Sequence, residues 1–352
     1  MAHTQPTEAH LMHHMKHTAL PQRILIIQTA SLGDVILSTA LAETLHQAFP
    51  GTCIDFLVKK GYEHLFLNHP FVSKVHCWDK KNHKYRNLFR IIRAVRNSHY
   101  NAVINVQRFA SSGLITALSG APIRSGFSKN PFSFTFTHKA IHTINANGSN
   151  EHEIQRNHHL ISFMKEMNLI KPAIYPGKNE KESVLQWTKE KYITISPASL
   201  WFTKQYPIHK WIDFVSNIPQ GLSVILLGSK DDKDLCQSIM EANNEKRIYN
   251  LAGELSFLQS AALMQQAEMN FVNDSAPQHM ASSVNAPVTA IFCSTVPAFG
   301  FGPVSDNAVV IETKDKLDCR PCGLHGWQKC PEGHFNCAES ITTQQLLNRI
   351  KR

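Results

Sequence analysis

The fold is decided by the stretch Arg23-Ile-Leu-Ile-Ile-Gln-Thr-Ala-Ser-Leu-Gly-Asp34. Its continuous apolar run, residues 24–27, is typical of a strand buried on both faces of a parallel sheet. Gly33 follows in a tight turn, after which the spacing of apolar residues predicts a helix ending near Phe49-Pro50-Gly51. A second apolar run at residues 52–58 predicts the next strand, so these segments form a βαβ unit.

The same alternation of buried strands and helix-length segments continues along the chain. Further strands are predicted at residues 102–106, 191–195, 223–227, 269–272 and 287–292, and further helices at 89–95, 112–118 and 152–167. Residues 124–127 predict either a short strand or a loop. Residues 131–150 lack periodicity and predict a loop bordering an acceptor site. Breaks around residues 171–177 divide the chain, so we expect a tail at 1–22 and two Rossmann-like domains, 23–175 and 176–352. Ligands should bind at the carboxyl ends of the strands, in a cleft between the domains.

Composition narrows the possible partners. The chain has 352 residues, a formal net charge of +9 and 43% apolar residues, which indicates a globular protein that favours polyanionic partners. These partners include nucleic acid, an acidic membrane surface and a phosphorylated glycolipid. No zinc finger, RNP-type segment or helix-turn-helix pattern supports nucleic acid. We find neither a membrane-spanning apolar run nor the apolar region of a secretory signal, and we therefore expect a cytoplasmic protein.

The turn after the first strand carries an acidic residue, Asp34, with two possible roles. It can cap the helix that begins there, because the free N–H groups of a first turn favour negative charge. It can also act as a general base at the mouth of the cleft. A dinucleotide site is disfavoured, because the turn has one glycine, Gly33, where a G-x-G-x-x-G fingerprint needs three.

The second half carries a matching motif, Asn273-Asp-Ser-Ala-Pro-Gln-His279. Asp274 or Ser275 can cap a helix starting here, and Pro277 suits its first turn. Alternatively, the uncapped helix N-terminus binds an anion such as a pyrophosphate. Lys204 follows another strand and can reach the same anion or remain solvated. Asp232 follows another strand and can approach a nucleotide ribose, although a generic strand-to-helix turn explains this segment equally well.

These motifs together resemble glycosyltransferase family 9, the ADP-heptose:lipopolysaccharide heptosyltransferases. The resemblance runs from about Arg23 to Thr342 and rests on four segments in matching order, namely residues 24–41, Ala252-Gly253, Asn273–Val288 and Gly302-Pro303. It implies a GT-B architecture, in which an N-terminal acceptor domain faces a C-terminal donor domain. It also implies an inverting transfer that needs neither a metal nor another cofactor.

The resemblance assigns roles to residues of both halves. Asp34 matches the catalytic base, and Lys204, assisted by Ser199, matches the lysine that neutralises the leaving diphosphate. The remaining donor-binding positions are Asp232 and Leu255 for ribose and adenine, and Asp274, Ser275, Ala276 and His279 for the phosphates. Ala276 departs from the family, which often has glycine there, and its Cβ narrows the room for phosphate.

The function expected is therefore transfer of a heptose from ADP-heptose to the inner core of lipopolysaccharide. One alternative is the same fold and mechanism with another nucleotide sugar. Another is a non-catalytic protein that binds glycans or nucleotides, although binding alone would not need a base across the cleft from Lys204. The hydroxyl that is attacked and the oligomeric state are not determined by the motifs.

Three arginines, Arg86, Arg90 and Arg93, recur at i, i+4 and i+7 on one predicted helix face, which we call the arginine face. A solvated surface explains this spacing. Alternatively, the arginine face binds the anionic lipopolysaccharide acceptor at the cytoplasmic surface of the inner membrane, giving the protein a peripheral membrane contact.

Four cysteines crowd into residues 319–337, which we call the Cys-rich segment: Cys319, Cys322, Cys330 and Cys337. Their thiolates can hold zinc or iron, although the intervals differ from those of a zinc ribbon. A disulfide and reduced thiols are the alternatives. A metal ion here would hold a loop in place rather than take part in the transfer.

Overall fold

The computed structural model describes residues 22–144 and 151–350 and contains two six-stranded parallel sheets. Except for Gln22, the predicted tail lies outside these residues, as do residues 145–150 of the predicted acceptor loop. The first sheet has the order β3-β2-β1-β4-β5-β6. Its strands are β1 (Arg23–Ile27), β2 (Cys53–Lys59), β3 (Val72–Trp78), β4 (Ala102–Asn105), β5 (Ile123–Phe127) and β6 (His138–Ala140).

The second sheet repeats this design with the order β12-β11-β10-β7-β8-β9. Its strands are β7 (Tyr192–Ser196), β8 (Ser223–Leu226), β9 (Ile248–Asn250), β10 (Met269–Asn273), β11 (Val288–Phe292) and β12 (Ala308–Glu312). In each sheet the order reverses beside the first strand, β1 or β7, where a doubly wound sheet places its ligand crevice. The predicted two-domain α/β fold is confirmed.

Helices connect the strands and cover the sheets. In the first half they are α1 (Leu32–Ala48), α2 (Lys84–Asn97), α3 (Ala110–Leu118) and α4 (Glu153–His158). In the second half they are α5 (Lys178–Ser183), α6 (Ile208–Ser216), α7 (Lys233–Glu241), α8 (Phe257–Gln266), α9 (Ala276–Ser283), α10 (Asn336–Glu339) and α11 (Thr343–Leu347). Among the helices described, none is long and apolar enough to cross a membrane.

The two halves share apolar packing where α1 meets α9. A single buried cluster includes Ile24 and Val35 of the first half and Met280 and Val284 of the second. Helix α1 is buried on most sides because it lies between its own sheet and the second half. This packing fixes the N-termini of α1 and α9 close together.

One predicted element is shorter than expected. The helix predicted over residues 152–167 ends at His158, and turns follow. Leu160 and Ile161 are completely buried, and the Leu160 carbonyl accepts a hydrogen bond from the Ser125 hydroxyl at 2.6 Å. Anchoring this carbonyl on β5 takes it out of the helical hydrogen-bond pattern.

Candidate active site

Asp34 lies in the first turn of α1, at the carboxyl end of β1. The Ser31 backbone N–H and hydroxyl both donate to Asp34 Oδ2, at 3.1 and 2.6 Å, while the Asp34 N–H donates to Ser31 Oγ at 3.3 Å. This reciprocal arrangement is a capping box, so the predicted capping role is confirmed. Capping occupies Oδ2, and it does not preclude proton transfer at the half-buried carboxylate.

The surroundings of Asp34 change the pKa of its carboxyl group. Burial raises the pKa of Asp34 above its usual value, hydrogen bonds from Ser31 lower it, the nearby negative charge of Glu153 raises it, and His325 lowers it. The net effect is a raised pKa, which brings a carboxylate closer to the range useful for general-base catalysis.

Helix α9 begins at the carboxyl end of β10. Its N-cap is Ser275, and Pro277 lies in its first turn as predicted. Among the described residues, however, no N-cap side chain accepts a hydrogen bond from that turn, so capping by Asp274 or Ser275 is wrong. The physical reason is that the Asp274 carboxylate is drawn towards other partners. Pro277 has no N–H and the Gln278 N–H donates to the Ser275 carbonyl at 3.1 Å, so the feature of this turn that favours an anion is the positive end of the helix dipole.

Those partners tie Asp274 to Lys204. Lys204 ends a short 3₁₀ turn, Phe202–Lys204, and its Nζ lies 2.6 Å from Asp274 Oδ2. Oδ2 also accepts a bond from the Thr295 hydroxyl at 2.6 Å, and Oδ1 accepts one from Gln278 Nε2 at 2.9 Å. Asp274 therefore holds Lys204 beside the N-terminus of α9, where cationic and N–H groups converge.

His279 marks the contact between the two halves. A Cβ placed on Gly33 would lie 2.9 Å from His279 Cδ2, so the α1 turn touches the first turns of α9. Burial, together with the nearby His152, lowers the pKa of His279 to about 3, which keeps the imidazole neutral. The structure thus brings Asp34, Lys204, Asp274 and His279 to one junction.

The remaining residues that were predicted to bind the donor follow strands of the second sheet, at the same edge. Asp232 forms a capping box with Ser229, its Oδ2 accepting from the Ser229 N–H and hydroxyl at 2.7 Å each. The Gly253 N–H donates to the Gly228 carbonyl at 3.0 Å, which brings the turn before half-buried Leu255 next to the Asp232 turn. Ser199 follows β7, and its carbonyl accepts from Gln205 Nε2 at 2.6 Å. Asp232 and Ser199 therefore already have structural partners.

The arginine face lies elsewhere. Arg86, Arg90 and Arg93 are exposed on α2, whose apolar side packs with Leu25 and Ile27 on one face of the first sheet. Helix α1 packs on the opposite face, with Ile24 and Ile26. The structure consequently does not bring the three arginines beside Asp34.

Sequence reasoning missed three charged groups near the junction. Lys80 follows β3 and donates from Nζ to the Thr29 carbonyl at 2.7 Å, and burial lowers its pKa to about 8. Glu153 of α4 bonds to Arg156 at 2.8 Å and His142 at 3.0 Å. His325 comes from the Cys-rich segment. Each reaches the site through tertiary folding, and because the strand that Lys80 follows, β3, was itself not predicted, no local signal marked these residues.

The Cys-rich segment lies against the second sheet. All eight cysteines of the chain are free thiols, and Cys319 Sγ lies 4.0 Å from His334 Nε2. Within residues 22–144 and 151–350, no three His, Cys, Asp or Glu side chains are placed to share a metal ion. Burial raises the pKa of Cys322, and burial raises that of Cys337 to about 12, which makes these thiols poor nucleophiles.

Comparison with known proteins identifies relatives of the whole architecture. Residues 88–325 match the model of glycosyltransferase family 9 (heptosyltransferase). The chain is 24% identical over 346 residues to lipopolysaccharide heptosyltransferase 1 of Campylobacter coli, covering 94% of this chain and 98% of that protein.

Solved structures agree in fold. The E. coli ADP-heptose lipopolysaccharide heptosyltransferase II superposes with a TM-score of 0.76 at 20% identity, covering 93% of this chain and 97% of that one. The family 9 glycosyltransferase of Veillonella parvula gives a TM-score of 0.78 at 19% identity, covering 93% and 95% of the two chains. The family match spans more than half of the chain, and this protein therefore belongs to glycosyltransferase family 9 and is a glycosyltransferase enzyme.

Proposed function

We propose that this enzyme transfers a heptose from ADP-heptose to the inner core of lipopolysaccharide, with inversion at the anomeric carbon. The observation that carries the proposal is the contact of Gly33 with His279, which sets the Asp34 turn against the N-terminus of α9. A base from one half and an anion-binding helix from the other thereby meet at one junction. This arrangement suits a displacement between an acceptor hydroxyl and a diphosphate leaving group. The C. coli and E. coli relatives, named as lipopolysaccharide heptosyltransferases, support the choice of substrates.

Asp34 acts as the general base in this proposal. As the acceptor oxygen attacks the anomeric carbon, its proton passes to the Asp34 carboxylate and the bond from that carbon to the diphosphate breaks. Attack from the face opposite the leaving group inverts the configuration. The raised pKa of Asp34 makes its carboxylate a stronger base than an exposed aspartate.

The second half stabilises the departing ADP. Lys204 and the positive end of the α9 dipole supply positive potential where charge develops on the diphosphate, and their preorganisation lowers the barrier. Asp274 contributes by holding Lys204, at 2.6 Å, rather than by meeting the phosphates itself. Ser199, Ser275, Ala276 and His279 border the same space, and Asp232 and Leu255 face the ribose and adenine. We assign residues 23–175 to the acceptor and residues 176–352 to the donor.

The acceptor is an anionic lipid-linked saccharide, and we propose that the enzyme works at the cytoplasmic face of the inner membrane. The exposed arginine face offers three positive charges, and the first turn of α2 contains no acidic residue. Tyr85 and Phe89, each more than 60% exposed, lie on the same helix. Basic and aromatic side chains together favour an anionic interface.

The test is release of ADP from ADP-heptose in the presence of a truncated inner-core lipid. Acceptor-dependent release is expected with ADP-heptose and not with other nucleotide sugars. Turnover with a different nucleotide sugar would keep the mechanism and reject the donor. Binding of ADP-heptose without any release on addition of acceptor would instead indicate a non-catalytic protein.

A further inference from the structure

The positive charge of the chain is concentrated in one segment of the first half. Residues 80–150 contain 11 of the 36 Lys and Arg residues and none of the 27 Asp and Glu residues. This segment therefore carries more than the whole net charge of +9. It begins before the arginine face of α2 and continues through β4, α3, β5 and β6. A polyanionic partner should consequently be attracted to this part of the molecule.

Three strands of this segment end at the same edge of the first sheet as β1. The order there is β1-β4-β5-β6, and each neighbouring pair is parallel. Because neighbouring strands are about 4.8 Å apart, the end of β6 lies about 14 Å from the end of β1. The loops that follow β4, β5 and β6 therefore extend outward, one beyond the other, from the turn that carries Asp34.

Hydrogen bonds join these loops to one another. The Thr29 hydroxyl, after β1, donates to Gln107 Oε1, after β4, at 2.8 Å. Asn130 Nδ2, after β5, donates to the Gln107 carbonyl at 3.0 Å. The Ser128 N–H, also after β5, donates to the Ala140 carbonyl at the end of β6 at 2.9 Å. The four strand ends thus support one continuous surface.

This surface exposes apolar side chains among basic ones. Phe109, Phe134 and Ile141 are 61%, 76% and 75% exposed. The Phe134 ring stacks on that of Phe132, with the centroids 6.2 Å apart, and the Phe132 N–H donates to Asn130 Oδ1 at 2.9 Å. We call this surface the rim, and with its exposed basic side chains it comprises Arg108, Phe109, Lys129, Phe134, Lys139 and Ile141.

The composition of the rim favours an anionic lipid bilayer over other partners. Apolar side chains are stabilised on entering the boundary of the acyl chains, while lysine and arginine remain with the anionic headgroups. A second copy of the chain is disfavoured, because it would bring two positively charged surfaces together. A nucleic acid would pair with the basic residues and would leave the aliphatic Ile141 without a partner.

We propose that the rim docks the enzyme on an anionic lipid bilayer, with Phe109, Phe134 and Ile141 entering the interface. The arginine face lies on the opposite face of the sheet from α1, whereas the rim shares the edge of the sheet with Asp34. Docking through the rim therefore places the base close to the surface from which a lipid-linked acceptor comes. This inference deepens the proposed function and rests on it for the identity of the acceptor.

The first test measures binding of the full chain to vesicles by sedimentation, without substrates. Vesicles of phosphatidylethanolamine with about 30% phosphatidylglycerol are compared with vesicles of phosphatidylcholine alone. Wild type should bind the anionic vesicles about tenfold more tightly or better, and added salt should weaken this binding. The triple variant Phe109→Ser, Phe134→Ser and Ile141→Ser should bind them about tenfold more weakly, because its apolar side chains no longer enter the interface.

A matched control removes apolar side chains that are exposed on the second half. Leu185 and Tyr249 are 52% and 37% exposed there. The double variant Leu185→Ser and Tyr249→Ser should bind anionic vesicles as tightly as wild type. Thermal unfolding midpoints equal to that of wild type are expected for both variants, because the replaced side chains are exposed, and they would show that each variant folds.

Activity provides a second readout that a purely structural role would not reproduce. For the triple variant, kcat/KM should fall about tenfold when the acceptor is embedded in anionic vesicles. With a deacylated acceptor in solution, the fall should be much smaller. A loss of equal size with both acceptors would overturn docking as the role of the rim.

The outcomes separate this inference from the proposed function. Unchanged binding of anionic vesicles by the triple variant would overturn the docking surface. Binding of single-stranded RNA more tightly than vesicles, or a dimer of wild type, with either one lost in the triple variant, would overturn the bilayer as the partner. Rim-dependent vesicle binding by a chain that releases no ADP from ADP-heptose would support the docking surface and contradict the proposed function.

Discussion

Replacing Lys204 by Met tests the ion pair between Lys204 and Asp274 in the proposed donor site. Lys204 and Asp274 have side chains that are 15% and 7% exposed, and their charged atoms are 2.6 Å apart. Methionine keeps the length of the lysine stem and removes the charge. The variant should therefore lose both the cation that stabilises the leaving diphosphate and the partner of a buried carboxylate.

The two losses have different magnitudes. Removing one preorganised group that stabilises developing charge typically costs about 100- to 1000-fold in kcat. Removing one partner of a buried pair costs about 3–5 kcal/mol of the free energy of unfolding, because the remaining charge is left uncompensated. Thr295 and Gln278 still donate to Asp274, so we expect the lower end of that range.

A double variant separates catalysis from stability. Asp274→Asn removes the buried negative charge and keeps an oxygen that can accept from Thr295. Lys204→Met combined with Asp274→Asn should therefore regain most of the lost free energy of unfolding, measured by urea denaturation. Its kcat for ADP release should stay as low as that of the Lys204→Met single variant. Near wild-type kcat in Lys204→Met would refute the assigned role, and a double variant no more stable than the single one would refute the ion-pair reasoning.

Three other changes test separate parts of the structure. Gly33→Ala should destabilise the protein by about 1–3 kcal/mol and lower turnover, because the added Cβ meets the buried His279 ring. At an unconstrained helix position the same replacement would stabilise the helix. An unchanged free energy of unfolding and unchanged turnover would contradict the close contact between α1 and α9. Burial raises the pKa of the Glu43 carboxyl group to about 7 in the folded protein. The protonated carboxyl group therefore makes its full contribution to the free energy of unfolding below about pH 4.5, and this contribution is lost as the pH rises to about 7. Glu43→Gln should remove this part of the pH dependence of stability and be more stable than wild type by about 1–3 kcal/mol at pH 8. If urea unfolding of the variant and of wild type showed the same pH dependence, the raised pKa of Glu43 would be rejected. Changing all three residues of the arginine face to Glu should raise KM for the lipid acceptor and leave KM for ADP-heptose unchanged. Unchanged acceptor kinetics would show that the arginine face is a solvated surface that does not bind the acceptor.

The strands that could be predicted from the sequence are those buried on both faces. β1, β4, β7 and β10 are apolar runs at the centre of their sheets. The prediction missed the four strands at the sheet edges, β3, β6, β9 and β12, which have several half-buried or exposed residues. Strand β6 lies within residues 131–150, so the prediction that this whole segment is a loop was wrong. An edge strand buries less apolar surface, and its pattern is therefore weaker.

The candidate-site residues that could be predicted are those that directly follow a buried strand. Asp34 and Asp274 each follow a buried strand, so the topology alone brings them to the ligand-binding edges. The sequence left open whether Asp274 caps α9, because its actual partners, Lys204 and Thr295, are distant in sequence. His325 is distant from Asp34 in the same way, and no local pattern could place it there.

The central claim is that Asp34 is the general base of the transfer, and the most direct measurement is acceptor-dependent ADP release by Asp34→Asn. Asparagine can keep a hydrogen bond to Ser31 and preserve much of the helix cap, so a stability measurement on the same sample controls for folding. We predict a loss of about 100-fold or more in kcat, with binding of ADP-heptose retained. Full turnover by a folded Asp34→Asn variant would mean that Asp34 is a helix cap alone, and it would contradict the mechanism.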